Sequence, residues 1–162
     1  MSKPKTSRRS FLPFAGATAL GAALALPAVA APKSGAKKKV INTPGLPPSL
    51  TGMFSSATQL GNLLLVSGYG AVDPATHQLA AGPIGNQVKQ CLENIKGVLE
   101  AAGSSLDKVL KCTVFLTDIN DFAAMNEVYH SYFPTNPPAR TTLGIKDLPL
   151  HSPVEIECIA YV

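Results

Sequence analysis

IGNQVKQCLENIKGVLEAAGSSLDKVLKCTVFLT, residues 84–117, changes its apolar period in mid-course, and that change decides the fold. In the first half Ile84, Val88, Cys91, Leu92, Ile95, Val98 and Leu99 recur at three- and four-residue spacings, the stripe of a helix that buries one face. Lys89, Glu93, Lys96 and Glu100 occupy the opposite face, where charges stay solvated and pair along the helix. Gly103 closes the helix, because a glycine takes the left-handed conformation of a helix end without penalty. In the second half Val109 to Thr117 has an almost unbroken apolar centre at Val114-Phe115-Leu116, which reads as a buried strand.

Working outward, Met53 to Thr58 and Leu63 to Ser67 read as two strands joined by a hairpin turn at Leu60-Gly61-Asn62. Gly68-Tyr69-Gly70 ends the second strand, and Asp73-Pro74-Ala75-Thr76 makes a further turn. Downstream, a second helix starts near Asp118 to Asp121, with Phe122, Met125, Val128, Tyr129 and Tyr132 as its apolar stripe. Pro134, Pro137 and Pro138 stop it, and two strands, about 139–145 and 154–161, finish the chain. The order β-β-α-β-α-β-β predicts an α+β domain, a mixed sheet with both helices on one face. The face the helices leave uncovered is a candidate subunit interface.

A chain of 162 residues, 46% hydrophobic, supports one globular domain with a core. Residues 1–30 read as a twin-arginine signal peptide: Ser7-Arg8-Arg9-Ser10-Phe11-Leu12 precedes an apolar run from Phe14 to Leu26, and Ala28-Val29-Ala30 is a small-residue cleavage site. Pro13 and Pro27 bound a run too short and too weak to span a bilayer, so no stable membrane insertion is expected after cleavage. The expected location is the periplasm, or otherwise outside the cytoplasm through that pathway. Residues 31–50, with Lys33, Lys37, Lys38 and Lys39, have the composition of a flexible basic, Pro-rich linker, and residues 51–162 are the domain.

Of the fourteen Lys and Arg residues, Lys3, Lys5, Arg8 and Arg9 leave with the signal; the ten that remain balance ten acidic groups. From Val40 onward six basic residues face ten acidic ones, so the folded part is acidic and a nucleic-acid partner is not expected. Cys91, Cys112 and Cys158 match neither a disulfide framework nor a zinc motif and read as buried thiols. Whether Cys112 and Cys158 pair depends on whether their strands are neighbours, which the sequence leaves open. His77, His130 and His151 lack ligand spacing, so no metal is expected. Gly68-Tyr69-Gly70 lacks the third glycine of a dinucleotide loop, and no nucleophile elbow is present.

The chemistry concentrates in the last strands. Asn136-Pro137-Pro138-Ala139-Arg140-Thr141-Thr142 delivers an arginine from a rigid turn, and its planar guanidinium is a fork for a carboxylate. Glu155, expected on a neighbouring strand, is a candidate proton acceptor beside whatever Arg140 holds.

At this block the chain resembles the RidA/YjgF group of enamine and imine deaminases, also known as L-PSP endoribonucleases. The resemblance runs from about Gly52 to Tyr161. It is carried by Leu60-Gly61-Asn62 with Ser67-Gly68, by Glu100-Ala101-Ala102-Gly103, and by Val114-Phe115-Leu116-Thr117-Asp118 with Asp121-Phe122. Asn126 with Tyr129, Pro138-Ala139-Arg140 and Glu155-Ile156-Glu157 complete it. It implies a chorismate-mutase-like homotrimer with active sites in clefts between subunits. It also implies hydrolysis of 2-imino acids to 2-oxo acids and ammonia without a cofactor. Arg140 then binds the substrate carboxylate, Glu155 activates the attacking water, and Asn126 and Ser67 match two further cleft positions.

Two positions depart from the commonest pattern of that family. Phe54 stands where a tyrosine is usual, which favours bulkier or more apolar substrates, and Thr142 stands where a cysteine is usual. Thr142 still offers a backbone N–H and a hydroxyl to the carboxylate. The alternative to a hydrolase is a trimer of the same fold that binds small carboxylates without turning them over, or one that acts as a chaperone. Only the enzyme requires Glu155.

Overall fold

The computed structural model describes Gly35, residues 37–43 and residues 52–162. The expected signal peptide therefore lies outside the described residues, as does most of the expected linker. One part of that linker does not behave as one: Lys39–Ile41 forms a short strand, β1, antiparallel to Ala57–Leu60, β2. Val40 and Ile41 are two β-branched residues directly after the lysine run, and Ile41 is buried in the core, so a run with linker composition ends in a sheet edge.

β2 turns at Gly61, whose φ of +61° a glycine adopts without strain, into Leu63–Gly70, β3. Helix α1 spans Ile84–Ala101 and buries the predicted stripe from Val88 to Leu99. Its end is a Schellman cap: Gly103 N–H bonds Glu100 C=O at 3.0 Å and Ser104 N–H bonds Leu99 C=O at 2.8 Å, with Gly103 at φ +80°. Strand β4, Val109–Leu116, follows, then helix α2, Phe122–Tyr132, reached through a short 3-10 turn in which Asp118 Oδ1 accepts from Asn120 N–H. Strands β5, Ala139–Gly144, and β6, Val154–Tyr161, complete the domain.

The six strands form one sheet in the order β1-β2-β3-β6-β4-β5. β4 and β5 are parallel and every other pair is antiparallel, so the sheet is mixed as expected. Leu64 and Val66, Cys112, Val114 and Leu116, and Val154, Ile156, Cys158 and Ala160 alternate with exposed neighbours and join the buried residues of both helices in one core. β4, expected as a buried strand, is fully buried on one face alone. Leu110 is exposed, and Lys111, Thr113 and Phe115 are only partly buried, because the helices cover a single face of the sheet. On the bare face Val40, Leu63, Leu65, Leu143, Ile159 and Tyr161 remain exposed.

Cys112 and Cys158 lie directly opposite each other across β4 and β6, and all three cysteines are buried free thiols. Burial, above all, raises the thiols of Cys91, Cys112 and Cys158 above the ordinary cysteine value, which makes them poor nucleophiles.

Candidate active site

The residues singled out in the sequence fall into two groups. The first is built on β5 and α2. Asn136, with φ +49°, turns the chain in the left-handed region that asparagine tolerates, and Pro137-Pro138 stiffen the entry to β5. Arg140 then registers against Cys112 and points to the helix side, where Nη2 donates to Asn126 Oδ1 at 2.6 Å. Its guanidinium carbon sits 4.5 Å from the centre of the Tyr129 ring and 5.7 Å from that of Phe122, with Nη1 3.9 Å from Met125 Sδ. Stacking fixes the plane of the fork, and Asn126 fixes its rotation. Two neutral partners among the described residues, Asn126 Oδ1 and the weak acceptor Met125 Sδ, leave most of the five guanidinium donors free, so the group is preset for a carboxylate.

Thr142, two residues along β5 on the same side, has a buried Oγ1 with no hydrogen-bond partner among the described residues. A buried hydroxyl without a partner is costly, and Thr142 Oγ1 is enclosed by protein rather than lining the recess beside Arg140. Asn126, Tyr129, His130, Phe133, Pro137, Pro138 and Arg140 line a recess of about 460 Å³.

The second group is built where β3 meets β6. Glu155 registers against Gly70 on one side and Phe115 on the other, and the β3 ladder shifts register between Val66 and Tyr69. That bulge frees Ser67, whose Oγ donates to Ser55 C=O at 2.8 Å, and it brings Gly68 against the Glu155 side chain. A Cβ at Gly68 would collide with Glu155 Oε1 and lie 2.8 Å from Cδ, so only glycine leaves the carboxylate its place. Phe54, Ser67, Gly68, Tyr69, Leu150 and Glu155 line one pocket of about 870 Å³. Partial burial first, and the Glu157 charge second, raise the Glu155 carboxyl above its ordinary value. Such a carboxylate holds a proton more readily than an exposed one, which suits a base.

The two groups do not meet within one chain. β5 and β6 are not neighbours, contrary to the expectation from sequence; β4 lies between them. Arg140 pairs with Cys112 and Glu155 with Phe115, three residues further along β4. Standard strand spacings then put the two Cα atoms about 14 Å apart. Alternation along β4 also sends Arg140 to the helix face and Glu155 to the bare face. Arg140, Asn126 and Thr142 are thus one half-site; Glu155, Ser67 and Phe54 are another. The contribution of Gly68 to the second was missed, although a glycine beside a strand-ending serine is the signal a bulge leaves in a sequence.

Among the described residues there is no group of three or more His, Cys, Asp or Glu side chains placed to hold a metal ion, and no helix long and apolar enough to cross a membrane.

Residues 46–162 match the family described as Endoribonuclease L-PSP. A RutC family protein of Pyrococcus horikoshii is 48% identical over 124 residues, covering 76% of this chain and 98% of its own length. The 2-iminobutanoate/2-iminopropanoate deaminase of Rattus norvegicus is 42% identical over 123 residues, covering 76% of this chain and 89% of its own. Among solved structures, RidA from the Antarctic bacterium Psychrobacter superposes with a TM-score of 0.71 at 40% identity, over 76% of this chain and 99% of that one.

Proposed function

The chain belongs to the endoribonuclease L-PSP family, the RidA/YjgF group, and from that premise we propose that it hydrolyses 2-imino acids to 2-oxo acids and ammonia. The single observation that carries this reading beyond the deaminase names of its relatives is the pair of half-sites. One presents an open guanidinium fork and the other a carboxylate of raised proton affinity.

Each half supplies what the reaction needs. Arg140, steadied by Asn126 and the two rings, holds the substrate carboxylate in its plane. Glu155 takes a proton from water as the oxygen adds to the imine carbon. The C=N π electrons move to nitrogen, which collects a proton. The resulting carbinolamine expels ammonia as its hydroxyl becomes the C=O of the 2-oxo acid. Imines hydrolyse in water unaided, so orientation and one base are sufficient and no cofactor is invoked.

Because Arg140 and Glu155 point to opposite faces of the sheet, one small substrate does not reach both within a chain, and the working site is assembled between subunits. The apolar bare face of the sheet is the surface on which copies associate, and a homotrimer is the proposed assembly. An acidic folded part gives no support to ribonuclease activity, whatever the family's older description.

The test generates an imino acid in place with an amino-acid oxidase and lets semicarbazide compete for it. Wild type suppresses semicarbazone formation; Arg140→Ala and Glu155→Gln each lose about a hundredfold in kcat/KM, the scale of one charged hydrogen-bonding group. Equal rates in all three would sink the deaminase reading, and loss in Arg140→Ala of oxo-acid binding alone would favour a non-catalytic carboxylate binder.

We propose in addition that the protein is exported through the twin-arginine pathway. The family match begins only at residue 46, and relatives aligned over nearly their full length leave about a quarter of this chain without a counterpart. N-terminal sequencing of the mature protein, expected to start near Ala31, checks this.

A further inference from the structure

Leu150 and His151 are consecutive non-glycine residues with left-handed backbone, φ +59° and +54°. Side chains other than Asn, Asp and His seldom adopt this region, which makes Leu150 the strained one, and two such residues in succession persist only where the surroundings hold them. The surroundings here do so from both ends. Buried Ser152 accepts Ala71 N–H at 3.0 Å and donates to Val154 C=O at 2.7 Å, and Thr117 N–H bonds Pro153 C=O at 3.0 Å. Before the turn, Asp147 Oδ1 accepts Leu148 N–H at 2.8 Å. The segment is therefore pinned by bonds that do not involve the Leu150 side chain.

What the strained turn accomplishes is the direction of one side chain. Leu150 remains 46% exposed rather than packing into the core, and it lines the same pocket as Phe54 and Glu155. Leucine gains nothing from left-handed backbone that glycine would not provide at less strain, so its side chain is what the position retains. Ser67 and Glu155 are among the polar groups that line the pocket, and Leu150 and Phe54 are among its large apolar ones.

We propose that Leu150 is a specificity-determining residue that selects imino acids with branched or extended apolar side chains, by offering them an apolar wall beside Glu155. The inference rests on the deaminase reading and deepens it by naming the substrate class. Removing the wall costs a large apolar substrate more than a small one, because only the former reaches it.

The experiment compares kcat/KM for the imines made in place from leucine and from alanine, in wild type, Leu150→Gly and Leu150→Met. The leucine-to-alanine ratio is expected to fall about tenfold in Leu150→Gly, the scale of lost apolar contact in a binding pocket, and to stay within about twofold in Leu150→Met. Glycine is compatible with the backbone at 150, so the variant folds, and a thermal melt verifies that. A wild type active on both imines with an unchanged ratio in Leu150→Gly overturns this inference and leaves the deaminase reading standing. A wild type inert toward both imines overturns the two together.

Discussion

Glu155 is the residue on which reaction and stability pull in opposite directions. Its proton affinity is raised in the folded state by partial burial and by Glu157, so the charged form is disfavoured on folding. A carboxyl of this kind destabilises the fold above its folded pKa, and the penalty disappears as pH falls below the unfolded value near 4.3. Glu155→Gln, which mimics the protonated group, is therefore expected to be more stable than wild type at pH 7. Denaturant titrations at pH 7 and at about pH 4 should show the gap closing at the lower pH. The wild-type rate should decline as pH drops through the raised value, above the range of an exposed carboxylate. Arg140 and Glu155 could both be named as candidates from the sequence, because residue type and local motif are local properties. Their separation could not, because it depends on which strand lies between them.

Among the elements, helix α1 was legible almost to its last residue, because a strong stripe and a glycine stop are local signals. β4 was legible as a buried strand but not in how far each residue is buried, since Val114-Phe115-Leu116 looks the same in a central strand with one bare face as in one with none. β1 was hidden in a lysine-rich run, and the bulge in β3 was seen only as the end of a strand. The bulge matters most for function, for Gly68 makes room for the catalytic candidate. Gly68→Ala displaces the free end of a flexible side chain rather than backbone, so stability should change by less than about 1 kcal/mol. Moving the base by about 1 Å should cost about a hundredfold in kcat/KM. Loss of stability in a melt together with retained kcat/KM would contradict this account of the bulge.

At the scale of the whole molecule, the sheet order separates what the proposed reaction would join. Arg140 and Glu155 point to opposite faces, two strands apart, while one face of the sheet carries exposed Leu65, Leu143, Ile159 and Tyr161. Both facts are resolved if a second copy covers that face and brings its own half-site to the first. The arrangement makes a prediction that no single-chain site makes. Arg140→Ala and Glu155→Gln are each nearly inactive, but the first keeps its glutamate and the second its arginine. Where copies of both variants meet with the intact residues facing, a complete cleft forms. Random mixing in equal amounts makes about a quarter of the clefts complete, by the statistics of a cyclic assembly. Co-expression should thus recover about a quarter of wild-type activity from two nearly inactive parents, whereas a site confined to one chain would recover none.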